Sequence, residues 1–73
     1  MSDIVLDVCG LDPPEPMERI LDALDQLANG TRLAVLIERE PHPLLIRLAR
    51  HGYHHQIGAR ADGRYDLVIW RAP

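Results

Sequence analysis

Ile4-Val5-Leu6-Asp7-Val8 opens the chain as a β-branched run closed by Gly10, and its alternation places Ile4, Leu6 and Val8 on one face of a first strand. Asp12-Pro13-Pro14-Glu15-Pro16 cannot lie inside a helix, but Pro16 suits a first helical position, and Met17, Ile20, Leu21, Leu24 and Leu27 follow at helical spacing. This predicts a one-sided helix of about three turns that stops at Asn29-Gly30. Thr31 to Glu38 contains the longest unbroken apolar run, Leu33 to Ile37, and predicts a strand covered on at least one face. The alternating prolines of Arg39-Glu40-Pro41-His42-Pro43 enforce an extended loop; Leu44, Leu45, Leu48 and Ala49 then predict a second helix from near Pro43 up to Gly52. Tyr53 to Ala59 reads as a third strand and Arg64 to Arg71 as a fourth, with Asp62-Gly63 as the hairpin turn between them.

The order βαβαββ predicts an α+β fold, a two-layer α/β sandwich over residues 1–73 as a single domain. Its four-stranded mixed sheet has three parallel strands and an antiparallel fourth, and right-handed crossovers bring both helices to one face. The other face stays open. If Leu67 and Ile69 face the helices, with Tyr65 completing their stripe, then Val5, Ala34, Leu36, Val68 and Trp70 face outward. Contiguous apolar surface with a tryptophan commonly marks a protein contact. Val5, Leu36, Val68 and Trp70 are therefore the expected surface for a protein partner or self-association.

With 73 residues, 47% of them hydrophobic, the chain buries only about 60% of its unfolded surface. It has no room for a deep substrate chamber, so a large cofactor enzyme is excluded, no cofactor is expected, and any chemistry sits on a surface or edge. Leu33 to Ile37 is too short to span a bilayer, and Met1-Ser2-Asp3 opens acidic where a signal peptide needs positive charge, so no membrane association and a cytoplasmic location are expected. A net charge of −3 argues against nucleic acid as a partner. The distribution says more than the sum: residues 1–30 hold seven acids against Arg19, net −6, while residues 31–73 hold seven arginines against four acids, net +3, and all four histidines.

Cys9 stands alone, which excludes an internal disulfide and a multi-thiolate zinc site. It is a redox candidate, because it lies near the turn into a helix amino end, although Asp7 and Asp12 would oppose a thiolate. His54 and His55 are adjacent in a strand and point to opposite faces, so with His51 they do not make a metal site. Three connections, Cys9–Glu15, Arg39–Pro43 and Arg60–Arg64, end at the same sheet edge. There Arg39, Glu40, His42, Arg60 and Arg64 would surround both helix amino ends and attract a small anion. In the competing structural reading, Arg39 pairs with Asp12 or Glu15 and pins the first loop to the second. The prolines also remove backbone donors from both loops. The only serine is Ser2, and Glu15-x-x-Glu18 is explained by helix-start electrostatics, so no catalytic residues are assigned.

Leu6-Asp7-Val8-Cys9-Gly10-Leu11-Asp12-Pro13-Pro14-Glu15-Pro16-Met17 resembles the start of TusA-like (SirA-like) sulfur carriers, whose pattern runs L-D-x-R-G-L-x-C-P-x-P just before the first helix. The βαβαββ order, the length and the closing Tyr65–Arg71 strand extend the similarity over essentially the whole chain. Aligning Gly10-Leu11 and Pro14-x-Pro16 puts the carriers' persulfide cysteine at Pro13, and puts Cys9 where they usually have arginine. Together with Arg39-Glu40-Pro41-x-Pro43-Leu44, the Pro13–Met17 stretch is similar to the cysteine-less branch known as domain of unknown function twenty-two forty-nine. Its members look like stand-alone small proteins or modules joined to other domains, such as hemerythrin-like bundles. The resemblance implies a TusA-like fold and a non-enzymatic accessory role in bacterial sulfur, redox or respiratory metabolism. Two alternatives stay open: sulfur transfer through Cys9, and small-anion sensing at the three-loop edge.

Overall fold

The computed structural model describes residues 3–71. In chain order they form β1 (Asp3–Asp7), α1 (Glu15–Asp25), β2 (Arg32–Ile37), α2 (His42–Arg50), β3 (Tyr53–Ala59) and β4 (Tyr65–Arg71). Both helices begin slightly earlier than the prolines alone suggest. Each starts one residue ahead of a proline, at Glu15 before Pro16 and at His42 before Pro43. The second helical position, like the first, has no intrahelical use for its N–H, so proline costs nothing there. After Asp25 the chain tightens: the Gln26 and Leu27 N–H groups donate to the Ala23 and Leu24 carbonyls at 3.2 and 3.1 Å. Leu27 thereby stays in the core although it lies beyond the helix.

The sheet order is β1-β2-β4-β3. β1 and β2 pair in parallel, and β4 lies antiparallel between β2 and β3. Three strands thus share a direction and the fourth opposes them. Strand chemistry explains the placement of β4. Leu67 and Ile69 are fully buried, which needs neighbours on both sides. The outward residues of β3, His54, Gln56 and Gly58, are all exposed and suit an edge.

Both helices cover one face. The core there comprises Leu33, Val35 and Ile37 of β2 and Leu67 and Ile69 of β4, under Ile20 and Leu24 of α1 and Leu44 and Leu48 of α2. Val8 joins this core, whereas Ile4, at the far end of the same stripe, is 48% exposed because β1 is an edge strand with little helix above it. Ala49, placed by its spacing on the apolar stripe of α2, is exposed instead. At the hairpin, Arg60 N–H donates to the Arg64 carbonyl at 2.8 Å and Gly63 N–H to the Arg60 carbonyl at 3.1 Å. Gly63 takes φ +87°, a conformation that a side chain at that position would strain.

Candidate functional site

The uncovered face of the sheet is built by strand alternation. Opposite the core-facing residues, β1 presents Val5, β2 Ala34 and β4 Val68, and register aligns these three side by side, continuing to Gln56 of β3. The next row runs Asp7, Leu36, Asp66, Gly58. At the other end of the face His54 pairs with Trp70, and their rings stand 6.0 Å apart at 36°. All five residues expected on the open face are therefore on it. Val5 is 78% exposed, while Ala34, Leu36, Val68 and Trp70 are half-buried by their strand neighbours. Trp70 is accordingly less open than a free indole, with His54 beside it.

The loop edge divides into two places rather than one. The first is a cleft of about 620 Å³ between the loops that follow β1 and β2. Its floor includes Ile20, Ile37 and Leu44 from the core, and its walls include Leu11, Pro13, Met17 and Pro41. Asp12, Arg39 and Glu40 of the expected edge set line it; His42 instead pairs with Glu40 at 2.8 Å, and Glu15 with Arg19 at 3.2 Å. The expected clamp between Arg39 and Asp12 or Glu15 is not formed: among the described residues Arg39 makes no ion pair. The two loops are joined by Glu38, whose Oε1 accepts the Gly10 N–H at 2.5 Å. Gly10 has φ +81°, which aims that N–H across the gap.

The prolines limit what the cleft offers an anion. In α1 the Glu15 N–H donates to the Asp12 carbonyl, Pro16 has none, and the Glu18 N–H donates to the Pro14 carbonyl. In α2 the His42 N–H donates to the Glu40 carbonyl, Pro43 has none, and the Leu45 N–H donates to the Pro41 carbonyl. One backbone donor per helix start remains, on Met17 and Leu44.

The second place is the hairpin end. Arg64 donates through Nε and Nη2 to Asp62 Oδ2 at 3.0 and 2.7 Å, and Arg60 donates to Asp66 Oδ1 at 3.1 Å and to Asp62 at 3.3 Å. Both arginines are thus neutralised within the hairpin and do not face the cleft. The hydrogen bonds from the Arg64 side chain and backbone N–H hold the Asp62 carboxyl well below the usual range. The Asp66 carboxylate raises the Arg60 pKa. Arg64 also stands beside Cys9, but burial, and after it the Asp7 carboxylate, push the Cys9 thiol up. The thiol donates weakly to the Leu36 carbonyl at 3.7 Å, and the Cys9 N–H donates to Asp7 Oδ1 at 2.9 Å, which lowers the Asp7 carboxyl.

His54 and His55 do fall on opposite faces, and among the described residues no three metal-ligating side chains converge. No described helix is long and apolar enough to cross a membrane. Residue-by-residue reading missed Glu38, Leu11 and Met17. The βαβαββ connectivity, which brings the loops after β1 and β2 to one sheet edge, was the available signal that both helices start beside one cleft.

None of the curated proteins and none of the solved structures matches this chain. One family does, over residues 5–71, from the outward Val5 to the last residue of β4. The chain belongs to that family, described as Uncharacterized conserved protein (DUF2249).

Proposed function

We propose that this protein is a non-enzymatic interaction module, an accessory protein whose working surface is the open face of its sheet. The observation that carries the reading is the apolar row Val5, Ala34 and Val68, with Leu36 and Trp70 beside it, on a face that neither helix covers. Apolar area left in water costs roughly 25 cal/mol per Å², so covering this face is favourable wherever a complementary surface is present. The TusA-like pattern, with Pro13 at the position of the carriers' cysteine, supports a setting in bacterial sulfur, redox or respiratory metabolism in the cytoplasm. Sulfur transfer through Cys9 is the weaker reading, since a thiol with a raised pKa is a poor nucleophile at neutral pH. Anion sensing loses Arg60 and Arg64 to Asp62 and Asp66.

The test compares the wild-type protein with Trp70→Asp on the open face and Arg50→Asp on α2. Immobilised protein is exposed to extract of the source cell, and bound proteins are identified by mass spectrometry alongside a measurement of self-association. An association kept by Arg50→Asp and lost by a folded Trp70→Asp supports the reading. Identical associations in all three proteins overturn it.

A further inference from the structure

We infer that the cleft between the loops after β1 and β2 binds a free α-amino acid with an apolar side chain. The cleft lies at the loop edge where α1 and α2 begin, so this does not depend on the open sheet face. Five of the six prolines in the chain, Pro13, Pro14, Pro16, Pro41 and Pro43, line it. Each fixes one backbone dihedral, so the walls are ordered before a ligand arrives, and each removes a backbone N–H. The volume of about 620 Å³ lies within the usual range for small-molecule sites.

The charges narrow the ligand class. Four charged side chains line the cleft: Asp12, Glu38, Arg39 and Glu40. Glu38 already accepts the Gly10 N–H, and Glu40 already pairs with His42. Asp12 and Arg39 make no ion pair among the described residues, either with each other or with a third group. An occupant therefore meets one uncommitted carboxylate and one uncommitted guanidinium. The apolar contact between them comes from the half-buried Leu11 and Met17 and from the prolines, since the floor residues Ile20 and Leu44 are already closed over.

A polyanion such as a nucleotide is opposed by three carboxylates against one arginine. An extended peptide finds few backbone donors among five prolines and cannot add to the walls as a strand. A purely apolar molecule uses neither free charge. An apolar α-amino acid carries an ammonium for Asp12, a carboxylate for the planar fork of Arg39 and a hydrocarbon side chain for Leu11 and Met17. Both charges are exposed and the ligand is small, so the affinity is weak, with a dissociation constant on the order of 1 mM.

Titration of the full chain with leucine to about 20 mM, followed by backbone amide NMR, tests the site. Leucine should shift the signals of Leu11, Met17, Arg39 and Leu44. Glycine, which has both charges and no side chain, should leave them in place. Isocaproate lacks only the ammonium and isoamylamine only the carboxylate; each should bind about three- to fivefold more weakly than leucine, the loss of one exposed ion pair. Arg39→Ala should weaken leucine and isocaproate and leave isoamylamine unchanged. Asp12→Asn should weaken leucine and isoamylamine and leave isocaproate unchanged. Both side chains are exposed, so both variants should fold. Isocaproate or isoamylamine binding as tightly as leucine overturns the amino-acid assignment. No shift at about 20 mM with leucine, methionine or phenylalanine, or shifts that map outside the cleft, overturns the site.

Discussion

Glu38 holds Gly10: its carboxylate accepts the glycine N–H at 2.5 Å and ties the loop after β1 to the loop after β2 across the cleft. The adjacent Arg39, with its planar fork, was the sequence-based candidate for this task, yet its side chain is exposed and makes no ion pair among the described residues. Glu38→Ala should lower the melting temperature by several degrees, reflecting about 0.5–1.5 kcal/mol for one hydrogen bond. Arg39→Lys should leave it unchanged. Thermal unfolding followed by circular dichroism decides between them; a loss on Arg39→Lys and none on Glu38→Ala would restore the arginine clamp.

Alternate residues of β4 should respond oppositely to truncation. Leu67 is fully buried against the helices, so Leu67→Ala should cost about 2–5 kcal/mol, a large part of the stability of a domain this small. Val68 faces outward and half-buried, so Val68→Ala should cost less than about 1 kcal/mol in the monomer. Urea unfolding at low protein concentration measures both. Equal losses would mean that the open face is packed as tightly as the core.

Asp62 makes the hairpin pH-dependent. Its carboxyl titrates below the ordinary value of 3.8 in the folded chain because Arg64 binds its charged form through side chain and backbone. A depressed carboxylate contributes stability above its unfolded pKa and loses it as pH falls through the folded one. The wild type should therefore melt above Asp62→Asn at pH 5, and the gap should close progressively as pH drops below about 3.8. A gap independent of pH would show that the ion pair contributes nothing.

Cys9 should be sluggish. Burial and the Asp7 carboxylate raise its pKa above the ordinary 9.0, so alkylation by iodoacetamide at pH 8 should be slower than for an unstructured cysteine peptide. Because the folded state resists ionisation, its stability should fall as pH rises through 9, and Cys9→Ser should remove that fall. Treatment with a cysteine desulfurase and cysteine should leave the protein mass unchanged. A one-sulfur adduct abolished by Cys9→Ser would instead make Cys9 a carrier thiol.

The element order and the outward set of Val5, Ala34, Leu36, Val68 and Trp70 were legible in the chain, because both follow from local periodicity. A period of 3.6 over Met17–Leu27 and a period of 2 over Tyr65–Trp70 need only neighbouring residues to be expressed. The insertion of β4 between β2 and β3, the choice of Glu38 over Arg39, and the capture of Arg60 and Arg64 by Asp62 and Asp66 were not legible. Those outcomes depend on which segments meet across the sheet: β4 goes where Leu67 and Ile69 gain cover on both sides, and a charged side chain takes whichever partner the folded backbone brings within 3 Å or so. Composition decided what must be buried, and only the tertiary arrangement decided which charges pair with one another and which, like Arg39, stay exposed without an ion pair among the described residues.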